Sequence, residues 1–255
     1  MEVTPTASAA QTATPPGAAT LSPWGRAIAI FTSPGTAWGG LEQHAQWWFP
    51  LLIMVVLNVA SAMTLHERAV MPMITERWEQ MVDNGQLSAE QLEKMEAGLR
   101  GPGGMLLSAG PQLIAWPLFM LILGLLVSFG VGFILGTKVK FRLAFEVANW
   151  SSLVLIPYTI VVWVLAWSKE TMRGIHLGLG ILVPQSDPPE KLQVALTAFL
   201  DAIGPFNLWF LAVAVIGAAA LSGAPRRSVA WVLGGLFLAL AVFGAALGAV
   251  FTPGS

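Results

Sequence analysis

Five stretches of the chain are apolar without interruption, and the segments between them alternate polar and apolar positions at helical spacing. The apolar stretches are 48–65, 112–135, 147–167, 202–221 and 228–251. A helix rises about 1.5 Å per residue, so a hydrocarbon core about 30 Å thick needs roughly 20 apolar residues. None of the five contains Asp, Glu, Lys or Arg, and an ionised group at mid-bilayer is costly. The pattern therefore predicts an all-α polytopic membrane protein, a five-transmembrane-helix bundle. Trp150, Trp163 and Trp167 around the third stretch read as interfacial anchors. Pro117 and Pro157 fall where they would kink the second and third spans.

The flanking segments carry weaker signals. Residues 1–22 are rich in Thr, Ala and Pro without apolar periodicity, and are expected to be a disordered tail. Ser22-Pro23 and Ser33-Pro34 each resemble a helix start, with serine as N-cap and proline at the first helical position. Residues 23–47 are accordingly expected to form short amphipathic helices, either at the membrane interface or packed on the bundle. Residues 66–111 form the longest connection. There Met71, Ile74, Trp78 and Met81 make one helical stripe, and Asp83-Asn84-Gly85 punctuates it. Ser88 followed by Gln91 suggests a capping box, and Leu92, Met95 and Leu99 continue a stripe to Gly101-Pro102. A helical extracytoplasmic loop of two antiparallel helices follows. Residues 171–183 are apolar but too short to cross, so they are re-entrant, interfacial or a buried loop.

Charge orients this frame. Arg26, then Lys138, Lys140 and Arg142, then Arg226 and Arg227 lie in segments that five spans place on one side. Residues 66–111, on the other side, hold seven acids against four bases. Basic loops stay in the cytoplasm, so the N-terminus is expected inside and the C-terminus outside. Only 11% of the 255 residues are charged and the net charge is −1, leaving no basic footprint for nucleic acid. With no cysteine, disulfides, thiolate catalysis and Cys-based metal sites are excluded.

Candidate chemistry is sparse. No phosphate loop, dinucleotide fingerprint, HExxH or GxSxG is present, and the three histidines show no ligand spacing. No catalytic, cofactor or metal residue is assigned, and no enzymatic activity is expected. The polar residues near the spans are Asn58 within the first, Glu146 and Asn149 opening the third, and Asp201, Asn207 and Trp209 around the start of the fourth. Asn58 is expected to bond a neighbouring helix, through Ser151, Ser152 or Tyr158 of the third span. Glu146 is placed at a span end, where water or Arg142 satisfies it. Asp201, on the opposite side, is expected to cap the N-terminus of the fourth span. Gly132 with Gly136, and Gly244 with Gly248, are spaced for close helix packing.

Three segments together resemble the bacterial branch of the Yip1 family. IFTSPGTAWGGLEQHAQWWFPLLIMVVL leads through Trp38 and Trp47 into the first span; KFRLAFEVANWSSLVLIPYTI carries Trp150, Ser151 and Pro157; FLDAIGPFNLWFLAVAVIGAAALSG carries Asp201, Phe206, Trp209 and Gly217 ahead of Arg226-Arg227. The resemblance implies an integral five-span protein with a cytoplasmic N-terminus, here in a bacterial cytoplasmic membrane. Eukaryotic members look like trafficking proteins that associate with Rab GTPases and with one another. Their DLYGP-type motif has no copy here, so Rab association is not carried over. The expected function is that of a non-enzymatic membrane organiser or scaffold, with the lipid bilayer, further copies or other membrane proteins as partners. The alternative is a transporter, channel or lipid-moving protein with a small polar cavity between kinked spans.

Overall fold

In a computed structural model of the chain, which describes residues 21–184 and 190–251, the architecture is an all-helical bundle. Five helices are long and apolar enough to cross a membrane. The tail expected at 1–22 lies outside the described residues, except that Leu21 and Ser22 are ordered into the cap of the first helix.

That helix, α1 (Pro23–Thr32), is capped by the Ser22 side chain accepting from the Gly25 N–H at 3.1 Å. It buries Arg26, Ala29 and Ile30 against the core and leaves Trp24 and Ile28 exposed. The second helix expected after Ser33-Pro34 does not form; residues 34–44 run as turns. The segment is packed on the bundle by one face and exposed on the other.

The first span, α2 (Trp48–Leu65), does not stop at its apolar end. It continues through a π-helical turn at His66–Val70 into α3 (Met71–Asp83), one helix of 36 residues. Pro72 explains the turn: its ring excludes the carbonyl of Arg68, four residues back, and an extra residue in the turn relieves the clash. Next, α4 (Ala89–Leu99) opens with the Ser88–Gln91 capping box, both of its bonds present. Then α5 (Pro102–Ser128), lengthened by a π-helical segment Phe129–Ile134, makes the second long helix. It begins ten residues before the apolar stretch, so the connection between the first two spans is a helical hairpin continuous with both of them. Pro111 and Pro117 both lie inside α5.

The third span has two halves, α6 (Phe141–Ser152) and α7 (Ile156–Lys169), joined by a 3₁₀ turn at Leu153–Leu155. Pro157 forces that break, because it cannot pack behind the carbonyl of Leu153. Residues 171–183 form turns and a short 3₁₀ segment, Leu179–Leu182, packed on α8 (Lys191–Ala202). The fourth span, α9 (Pro205–Ser222), starts after a break at Ile203-Gly204, and α10 (Arg226–Phe251) is the fifth. Nine of the twelve residues of α6 are buried, which makes it the axis of the bundle. It packs between α5 and α9; α2 lies on α5, and α10 contacts α9 and α8.

Candidate functional site

Two polar assemblies stand at opposite ends of the bundle, and each is built from residues far apart in sequence. The first is centred on Glu146, fully buried on α6. It accepts the Gln46 N–H at 2.8 Å and the Trp150 indole N–H at 3.0 Å, and Arg142 lies 3.5 Å away. The Arg142 expectation holds, but the carboxylate is sealed from water. Above it sits Arg26, also fully buried, stacked over the Trp150 ring at 5.5 Å. Burial lowers the pKa of the Arg26 guanidinium below its ordinary value, and Glu146 offsets only part of that effect.

The irregular turns at 34–44 explain why two arginines are needed. Backbone carbonyls withdrawn from water without a helix or sheet to pair them must find other donors. Arg26 donates to the carbonyls of Ala37 and Gly39 and, at 2.9 Å, to Gln46 Oε1. Arg142 donates to the carbonyls of Leu41 and Glu42 at 2.9 and 2.8 Å. Glu146 offsets the charge this concentrates. The segment is closed from the other side by Trp38, whose ring lies so near Gly217 of α9 that a Cβ there would come within 2.5 Å. Trp150, read from sequence as an interfacial anchor, is instead a core residue with 0% exposure.

The second assembly joins the helical hairpin to the bundle through three consecutive residues of the π-helical turn. His66 is buried, with Nδ1 2.6 Å from Ser108 Oγ and Nε2 2.7 Å from the Leu99 carbonyl. Because a carbonyl only accepts, Nε2 carries the proton. Glu67 accepts the Gly101 N–H at 2.8 Å. Arg68 donates to the Trp167 carbonyl at 2.9 Å, pairs with Glu170 at 3.0 Å and stacks on the Trp167 ring. Nearby, Arg173 pairs with Glu76 at 2.7 Å. His176 Nδ1 lies 2.6 Å from Asp201 Oδ2, with Gly178 and Gly180 pressed against Asp201.

Several expectations change. Asp201 does not cap α9; it lies at the end of α8, bound to His176, while Asn207 donates to its backbone carbonyl at 3.2 Å. The histidine was missed because the loop that delivers it has no periodicity. Asn58 does not reach the third span: its amide donates to the Met54 carbonyl of its own helix at 2.7 Å. Asn149 does the same, to Phe145 at 2.8 Å. Asn58, Asn149 and Asn207 therefore disperse rather than converge. Trp209 meets Phe31 of α1 edge to face at 5.7 Å.

Among the glycines, Gly136 is a helix stop with φ 66°, where the Thr137 N–H closes on the Val131 carbonyl. Gly244 faces open space; Gly132 meets only the Thr137 carbonyl, at 3.9 Å, and Gly248 meets Val194 at 3.7 Å. Between spans, close contacts are made instead by Gly124, against Phe145, and by Gly130, against Val232, Leu233 and Leu236. Among the described residues, no three His, Asp or Glu side chains gather as a metal set.

The fold defines a polytopic helical membrane protein in which Arg26, Glu146 and His66 bond within the chain, while Ser151 Oγ, Asn149 Oδ1 and Asp201 Oδ1 are buried without a partner among the described residues. A Yip1 domain model matches residues 28–248, and the chain belongs to that family. No curated protein and no solved structure gives a significant match.

Proposed function

We propose that this Yip1-domain protein is a non-enzymatic membrane organiser, working by association of its lipid-facing helices with further copies or with other membrane proteins. The observation that carries the reading is where the polar groups go. Asn58 and Asn149 bond their own helices, and Glu146 with Arg26 and Arg142 fixes the N-terminal segment. What is left open is α10, the least buried of the five spans. Its Gly234, Gly235 and Gly244 have no neighbour within 4 Å, which gives a second helix room to approach. The test is crosslinking in membranes together with particle mass in nanodiscs. Association weakened by Gly244→Leu is expected; a strictly monomeric protein that captures no partner would sink the idea. One feature favours transport instead, the α8–α9 break beside the His176–Asp201 pair, and protein-dependent flux into liposomes would support it.

The reading includes an orientation, with the N-terminus in the cytoplasm of a bacterial cell. Arg26 and Arg142 share one end, and the guanidinium of Arg226 approaches Gly35 there, in keeping with six bases on the inner side. Single cysteines at Thr137 and Ala224 should react only with reagent on the cytoplasmic side, and one at Ala89 only from outside. Labelling of Ala89 and Ala224 from the same side would overturn the five-span orientation.

A further inference from the structure

We infer that the end of the bundle carrying the N-terminal segment holds a binding site for an anionic phospholipid. The headgroup sits between the 135–140 segment and the start of α10, and an acyl chain lies in the crevice below. Lys138, Lys140, Arg226 and Arg227 are all exposed, and none has an ion pair among the described residues. What sets them apart is that four such bases fall in two short segments at one end, whereas the other unpaired bases on the described surface, Arg77, Lys169 and Lys191, are scattered. Arg26 and Arg142 are occupied by backbone carbonyls, Glu146 is buried beneath Arg142, and Glu42, exposed at the same end, has no ion pair with any of the four bases. At the other end Arg68, Lys94, Arg100 and Arg173 each pair with an acid.

The two basic segments lie at the same end of a packed helix pair. Gly130 near the end of the second long helix packs on Val232, Leu233 and Leu236 of α10. The two helices run antiparallel, so the helix stop at Gly136 and the start of α10 at Arg226 lie at the same end of the bundle. Below that end, α5, α9 and α10 enclose a crevice of about 40 Å³. Its walls are apolar throughout, with Leu126, Val127, Leu211, Ala214, Leu236 and Phe237 among them. It is too small for a headgroup and shaped for a stretch of hydrocarbon. Leu236 lies ten residues beyond Arg226, about 15 Å along the helix, the depth of an acyl chain under its phosphate. Trp231, 75% exposed on α10, stands beside the site at the level where indoles favour the interface. Four bases over an apolar slot between helices is the arrangement that selects a negative headgroup with its chain attached.

The test uses the full chain in nanodiscs made from equal parts phosphatidylcholine and phosphatidylglycerol, with native mass spectrometry reading the lipid retained. The wild type should retain phosphatidylglycerol several-fold over phosphatidylcholine. Each base near a charged surface is worth about a fivefold factor, so Arg226→Gln/Arg227→Gln or Lys138→Gln/Lys140→Gln should each abolish that preference. Arg77→Gln/Lys94→Gln, at the other end, should leave it unchanged. Melting in pure phosphatidylcholine checks the fold, and if one pair variant fails it the other decides. No enrichment in the wild type, enrichment that survives both pair variants, or equal loss in the Arg77/Lys94 control would overturn the proposal. Inorganic phosphate alone should not raise the melting temperature; a rise equal to that given by phosphatidylglycerol would reassign the site to free phosphate and refute the lipid.

Discussion

Glu146→Gln is expected to destabilise the protein by about 3 kcal/mol and to free the N-terminal segment while the five long helices stay folded. The carboxylate is fully buried and accepts from both Gln46 and Trp150. A glutamine keeps one acceptor oxygen but turns an amide NH₂ toward the other donor. Arg26, itself without solvent contact, loses the charge that balances it. Removing one partner of a buried charge pair costs about 3–5 kcal/mol, mainly because the other is left uncompensated. The lower end applies here, since Arg142 is one-third exposed and can turn to water. Thermal melting in nanodiscs gives the magnitude. Limited proteolysis gives the location, with new cleavage expected within 33–47, where the turns depend on the two guanidinium groups. An unchanged melting temperature and an intact segment would show that the carboxylate carries no such load. Glu146→Asp, which keeps the charge on a shorter stem, should recover part of the loss.

What could be read from the chain divides by the range of the interaction. The spans were legible because apolar length is a local property. So was α4, whose Ser88–Gln91 box is a four-residue rule satisfied in place. Where each span ends was less visible. Proline acted through the carbonyl four residues back, converting the expected stop at Leu65 into a π-helical turn and a single 36-residue helix.

The polar residues show the other limit. Asn58 was assigned to an interhelical bond, yet the i−4 carbonyl of the same helix is always within reach and needs no partner, and Asn149 bonds in the same way. Glu146 was visible together with Arg142, four residues away on one helix face. Its link through Gln46 to Arg26 was not, because Gln46 contacts it across 100 residues. A lone arginine on an otherwise apolar helix with exposed Trp24 and Ile28 was the one available hint. Glycine spacing misled for a related reason. A pair four apart marks a possible groove, but only the neighbouring helix decides which glycine is used, and here that is Gly130 rather than Gly132.

Gly104→Ala is the second large effect, at the other end of the molecule. The first turn of α5 approaches the end of α4 so closely that a Cβ on Gly104 would fall 1.6 Å from the Leu99 carbonyl oxygen and 2.7 Å from His66 Nε2. The obstacle is backbone, which cannot rotate away as a side-chain tip can. Either α4 moves, or α5 frays at its start. In both cases the His66–Leu99 bond is lost and a buried ring nitrogen is stranded. Overpacking costs about 1–3 kcal/mol, and an unsatisfied buried polar group adds about 1–3. A loss of roughly 3 kcal/mol is therefore expected, confined to the hairpin. Hydrogen exchange should show it as lost protection over 89–99, with α6 and α9 unchanged. His66→Ala separates the two contributions, since it removes the bond without the clash and should cost less than Gly104→Ala. Equal costs for the two would mean that the hydrogen bond, and not the close backbone approach, holds the hairpin. Full protection of 89–99 in Gly104→Ala would show that α4 does not depend on this contact. The hairpin would then rest on the Glu67–Gly101 bond and on α3 alone.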